Sequence, residues 1–118
     1  MAERVYLQDV YPTLLDLLDI PKPEHVAFQS LLPQIEQGSG ARGSIYLAMF
    51  DSQRGIISGD NKLIIYPKSG DRELYDLSQD PWETHNLIDK RKSKRIEATL
   101  VEQLQQWQTQ VGDEVLVK

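Results

Sequence analysis

Three short apolar runs decide how this chain folds: Gln53-Arg54-Gly55-Ile56-Ile57-Ser58, then Lys62-Leu63-Ile64-Ile65-Tyr66, then Glu73-Leu74-Tyr75-Asp76-Leu77. The breaks between them, Gly59-Asp60-Asn61 and Ser69-Gly70-Asp71, are hairpin chemistry. Runs this short and rich in β-branched and aromatic residues read as strands over 54–58, 62–66 and 73–77. Ser44 to Phe50 supplies a fourth, over 44–50. Connections of a few residues leave no room for a crossover, so neighbouring strands are antiparallel. Pro67 suits a strand end, because it has no N–H to give a ladder.

Outward from this block, the chain becomes helical at both ends. Ile96, Leu100, Leu104, Trp107 and Val111 recur at helical spacing on one face. They predict an amphipathic helix of about 18 residues from Ser93, packed on the sheet and stopped by Gly112. Upstream, Asp9 is placed to cap a short helix, and Pro12 falls in its first turn. Val10, Tyr11, Leu14, Leu15 and Leu18 form its apolar stripe, with Leu17 widening it. Ile20-Pro21-Lys22-Pro23 ends the helix, since a residue before proline leaves the α region. Residues 24–37 read as loop with one helical turn near 30–35. Gly38-Ser39-Gly40-Ala41-Arg42-Gly43 reads as a flexible connector. The expected class is therefore α+β: N-terminal helix and loop, four-stranded antiparallel sheet, C-terminal helix on the sheet.

The 118 residues suffice for one domain, and a hydrophobic share of 40 % supports a core. With 13 basic and 18 acidic residues the chain carries −5, which opposes a nucleic-acid role because phosphate binding needs a basic face. The longest apolar run, Ile45 to Phe50, is far below the roughly 20 residues that cross a bilayer. No basic and apolar leader opens the sequence, so no signal peptide is expected. The absence of cysteine excludes disulfides and thiolate chemistry.

Candidate reactive groups have ordinary readings. His25 and His85 lack metal-ligand spacing, and His85 sits in a polar turn, where local hydrogen bonding is expected. Lys90-Arg91-Lys92-Ser93-Lys94-Arg95 is dense in positive charge and reads as a solvated helix entry. Asp76, Asp80, Glu83 and Asp89 lack the alternating ligands and glycine of a calcium loop. Asp76 to Pro81 reads instead as two turns whose carboxylates hold backbone amides. Trp82 is expected to fold back onto the core.

Three segments together resemble the C-terminal end of a type I sulfatase, in the alkaline-phosphatase superfamily. They are Asp9-Val10-Tyr11-Pro12-Thr13-Leu14-Leu15-Asp16-Leu17-Leu18-Asp19-Ile20-Pro21 with Gln29-Ser30-Leu31-Leu32-Pro33, then Gly59 to Pro67, then Glu73 to Leu87 with its Asp80-Pro81-Trp82-Glu83-Thr84-His85-Asn86-Leu87. The resemblance spans roughly residues 5–111. It implies a full-length relative that hydrolyses sulfate esters with bound Ca²⁺ and a formylglycine nucleophile. Such relatives are often periplasmic, extracellular or lysosomal. The family's nucleophile motif, C/S-x-P/A-x-R, and its calcium ligands have no counterpart here. No catalytic residue, metal ligand or cofactor is therefore expected in this chain, which alone is expected to be inactive. Where relatives carry Gln-Arg-Ala-Val-Arg, this chain reads Gln53-Arg54-Gly55-Ile56-Ile57, so Arg54 is left as the candidate substrate-binding residue. Its charge suits a sulfate or sugar acid; a solvent-facing strand-edge arginine is the other reading.

The resemblance also implies an organisation. Residues 1–37 form a helix and loop segment that would pack on an N-terminal sulfatase domain, and 44–118 form the C-terminal subdomain. Without that partner domain, the apolar side chains of residues 1–37 need cover, which predicts a homo-oligomer through them. A free-standing, non-catalytic interaction module derived from a sulfatase is the alternative.

Overall fold

Backbone hydrogen bonding and side-chain burial are described by a computed structural model for residues 3–38 and 42–118. The chain divides into two compact units, Met1–Arg42 and Gly43–Lys118. Residues 39–41 of the expected Gly38-to-Gly43 connector lie outside the described residues, and Gly38 itself ends a helix in the left-handed region (φ 62°), where a glycine is unstrained.

In the first unit a 3₁₀ turn, Leu7–Asp9, runs into α1 (Val10–Leu17), and α2 (Leu32–Gln37) follows after the loop. Asp9 does not cap α1 with its side chain. The carboxylate, fully buried, pairs with Arg42 and accepts the N–H groups of Tyr6 (2.8 Å) and Gln29 (3.2 Å). A paired charge tolerates burial, and this one ties three separate stretches of chain together. Thr13 extends the tie, its hydroxyl donating to the Asp9 carbonyl and accepting the Leu31 N–H (2.8 Å). This polar side, with Pro12 and Thr13, is the buried side of α1. The expected stripe is turned outward, with Val10, Tyr11, Leu14, Leu17 and Leu18 each about half exposed or more. The apolar spacing does mark a helix, but α1 buries Pro12 and Thr13 beside the Asp9 ion pair instead of its leucines.

In the second unit β1 (Ser44–Met49), β2 (Gln53–Ser58), β3 (Asn61–Ile65) and β4 (Arg72–Asp76) form one antiparallel sheet in the order β1-β2-β3-β4. Gly59 begins the β2–β3 turn at φ 56°, and the Ser58–Asn61 pair closes it. Phe50 leaves the expected first strand for the β1–β2 turn at φ 48°. The register aligns Tyr46, Ile56, Leu63 and Leu74 in one row across the sheet. Onto that row packs α3 (Lys94–Val111), entered through a 3₁₀ turn, Arg91–Ser93, and stopped by Gly112 at φ 69°. The core joins Ile56, Leu63, Ile65 and Leu74 of the sheet to Leu100 and Leu104 of α3 and Val117 of the tail.

The inward face of α3 is rotated slightly from the expected stripe. Glu97 and Gln108 are buried with Leu100 and Leu104, whereas Ile96 and Val111 are exposed. Trp107 stays on the flank, stacked on Tyr46 with its N–H donating to Ser44 Oγ (2.7 Å). The cause is polar. Glu97 takes the Arg72 guanidinium (2.8 Å), and Gln108 takes the Val117 N–H and donates to the Val115 carbonyl.

The segment after β4 protects the sheet edge. Leu74 would present an unpaired N–H and C=O there, but Asn86 Oδ1 accepts the N–H (3.0 Å) and the Leu87 N–H donates to the carbonyl (2.8 Å). Covering an edge removes a template for unwanted pairing. Trp82, expected on the core, is instead 86 % exposed, because Glu83 at φ 55° turns the chain to bring its own carboxylate to Lys62 (2.8 Å). Replacing Asn86 by Ala strands the Leu74 N–H and should lower unfolding free energy by about 1–3 kcal/mol in urea denaturation. Trp82→Ala should stay within about 0.5 kcal/mol of the parent.

Candidate functional site

Arg54, the sequence candidate for substrate binding, is buried at 4 % exposure. It is not a solvent-facing arginine. Strand alternation puts it on the α3 side of β2, in the row of Ala48, Ile65 and Arg72. Its guanidinium grips Asp113, just past the helix stop, with Nε 2.5 Å from Oδ2 and Nη2 2.9 Å from Oδ1. Nη1 donates to the Phe50 and Gln53 carbonyls (2.6 and 2.8 Å), which holds the β1–β2 turn.

More donors converge on the same carboxylate. Tyr46 Oη donates to Oδ2 at 2.6 Å and Gln108 Nε2 at 2.7 Å, while the Val115 N–H reaches Oδ1 at 3.1 Å. The Arg54 hydrogen bond, with those of Tyr46, Gln108 and Val115, outweighs burial and holds Asp113 far below the ordinary carboxyl range. Tyr46 moves the other way. Burial and its hydrogen bond to the Asp113 anion push it up to about 12. The arrangement recognises an anion with one full cation and several neutral donors.

The opposite face of the same strand borders a shallow cavity of about 170 Å³, lined by Leu47, Gln53, Gly55, Lys62 and Ile64 among others. A Cβ on Gly55 would stand 3.1 Å from the Leu63 carbonyl and 3.5 Å from Leu47 Cβ. The glycine thus permits close strand approach under the cavity.

The other sequence candidates are not brought to this site. His85 is exposed, with Nδ1 2.7 Å from Thr84 Oγ1, and His25 is exposed in the loop of the first unit. Asp76 holds the Ser78 N–H (3.0 Å), and Asp80 holds those of Thr84 and His85 (3.1 and 2.8 Å), which are the expected turns. Lys90, Arg91, Lys92 and Arg95 are exposed, and Lys94 pairs with Glu97 at 3.2 Å. Among the described residues no three His, Cys, Asp or Glu side chains gather as a metal site. The carboxylates at 76 and 80 are already committed to backbone and hydroxyl donors, so calcium does not fit these turns. Sequence reasoning missed Tyr46, Gln108 and Asp113. Gln108 stood one position beside the apolar stripe, and Asp113 lay past its end.

An antiparallel sheet covered by a C-terminal helix, preceded in sequence by a short helical unit, is the class this fold defines. The family described as "N-sulphoglucosamine sulphohydrolase, C-terminal" matches residues 1–110, and the chain belongs to it. It is 32 % identical over 96 residues to an arylsulfatase of Clostridium perfringens, covering 78 % of this chain and 20 % of that protein. To a sulfatase of Escherichia coli, YidJ, it is 31 % identical over 112 residues, covering 89 % and 22 %. The structure superposes on a 2-O GAG sulfatase with a TM-score of 0.78 at 27 % identity, covering 90 % of this chain and 25 % of that one. A protein solved with its substrate D-glucosamine-2-N,6-O-disulfate gives 0.77 at 25 % identity, covering 90 % and 24 %. The chain thus spans about a fifth of the length of these curated relatives.

The Asp113 cluster sets a pH signature. A carboxyl held below its ordinary value of 3.8 contributes stability above that pH, lost as acid protonates it. Acid titration of stability should therefore fall below about pH 4 in the parent and be flatter there in Asp113→Asn. Phenolate absorbance should place Tyr46 at about 12, returning toward the ordinary tyrosine range in the same variant.

Proposed function

We propose that this chain is the C-terminal part of a sulfatase-like sulfuric ester hydrolase and is not catalytic alone. The observation that carries the reading is the family match over residues 1–110 in a chain with no cysteine and no sulfatase nucleophile motif. Covalent sulfate-ester hydrolysis needs that nucleophile. In a full-length protein, calcium and formylglycine would belong to an N-terminal catalytic domain, and no step of that chemistry is assigned to residues here. The role of this part is to support that domain, with residues 1–37 packed against it and 44–118 as the C-terminal subdomain. Arg54 is the β2 side chain whose charge suits a sulfate or a sugar acid, but it is held by Asp113, so such an anion would reach it only where that carboxylate is displaced.

The outward apolar side chains at α1 and α2 support the packing role. Leu14, Leu17, Leu18 and Ile35 are 52–70 % exposed, and leaving each large apolar side chain wet forgoes about 1.5–3 kcal/mol. In the isolated chain a second copy takes the place of the catalytic domain. The alternative, a free-standing module, draws support from a Haemophilus influenzae protein that is 31 % identical over 116 residues, of which this chain covers 59 %.

Purified chain incubated with aryl or sugar sulfates should release no sulfate, with or without Ca²⁺. Turnover that stays with the chain through ion exchange would overturn the reading. Light scattering at micromolar concentration should give more than one chain per particle, and Leu14→Glu with Leu18→Glu should return it to one. A monomeric parent chain would count against the packing role of residues 1–37.

A further inference from the structure

The Asp113 carboxylate sits in a receptor larger than a surface ion pair requires. Arg54 Nε (2.5 Å), Tyr46 Oη (2.6 Å) and Gln108 Nε2 (2.7 Å) converge on Oδ2, while Arg54 Nη2 (2.9 Å) and the Val115 N–H (3.1 Å) converge on Oδ1. Three elements supply the side-chain donors, Tyr46 from β1, Arg54 from β2 and Gln108 from α3, while the Val115 N–H comes from the segment that carries Asp113 itself. The anion itself arrives on the six-residue tail 113–118, beyond the Gly112 stop.

We propose that the cradle of Arg54, Tyr46 and Gln108 is an oxyanion-binding site that the chain fills with its own Asp113. A carboxylate or a sulfate group presents the same paired acceptor oxygens, so either fits the Arg54 fork. Asp113 outcompetes a free anion because its tether gives it an effective concentration of about millimolar or more. The tail is itself held by the burial of Val117 (4 % exposed) and by Gln105 donating to the Val117 carbonyl (3.3 Å), so removing one side chain need not release it. The inference rests on the reading of Arg54 as an anion partner and not on the catalytic reading of any full-length protein.

Chemical rescue tests it. Asp113→Ala empties the cradle, and thermal unfolding is followed while sodium acetate, sodium sulfate or sodium chloride is added at matched ionic strength. Acetate or sulfate should raise Tm saturably, by several degrees, whereas chloride should not, because ligand binding to the folded state alone stabilises it. Acetate acting alone assigns the site to carboxylates, and sulfate acting alone assigns it to sulfates. If Asp113→Ala is unfolded in chloride, the same titration reads recovery of the helical circular-dichroism signal. The proposal is overturned if neither oxyanion acts beyond chloride. It is equally overturned if the response survives in Asp113→Ala combined with Arg54→Gln. Failure here would leave the aryl-sulfate result untouched, so the two readings fail separately.

Discussion

A carboxylate cannot stay ionised inside a protein unless donors replace the water it has lost. That constraint organises the second unit around Asp113. Its partners come from β1, β2 and α3, so satisfying one anion fixes where the helix end lies over the sheet. Arg54 passes the constraint to the β1–β2 turn through the Phe50 and Gln53 carbonyls. Gln108 passes it to the tail through Val115 and Val117. The first unit repeats the device with Asp9 and Arg42, which join α1 to the loop at Gln29. There, burial pushes the Asp9 carboxyl up, but the Arg42 and backbone N–H donors outweigh it and leave it lowered.

The polar contacts also account for the path of the stretch from Asp76 to Leu87. Asp76 and Asp80 shape consecutive turns by accepting amide protons. Glu83 returns to Lys62 on the sheet. Asn86 and Leu87 then complete the hydrogen bonding of Leu74 at the β4 edge. These spaced polar residues thus build an edge cover, and their spacing reflects the path that a chain must follow to double back on its own strand.

The buried Asp9, Arg54 and Glu97 side chains are each ion-paired, whereas exposed apolar side chains occur in both units, among them Leu14, Leu17 and Leu18 in the first and Phe50, Trp82 and Leu116 in the second.

Hydrophobic periodicity and turn chemistry were enough to place four antiparallel strands, both main helices and the Gly112 stop. Alternation and helical spacing are local properties, and local sequence carries them. Strand ends moved by about one residue because pairing with the neighbour, not composition, sets them. The faces of α1 and α3, the outward Trp82 and the burial of Arg54 depended on partners distant in sequence. Asp9 meets Arg42, and Arg54 meets Asp113 across 59 positions. No periodic pattern records such a meeting, because the energy that decides it is the cost of burying a charge alone. Only the folded arrangement supplies the partner.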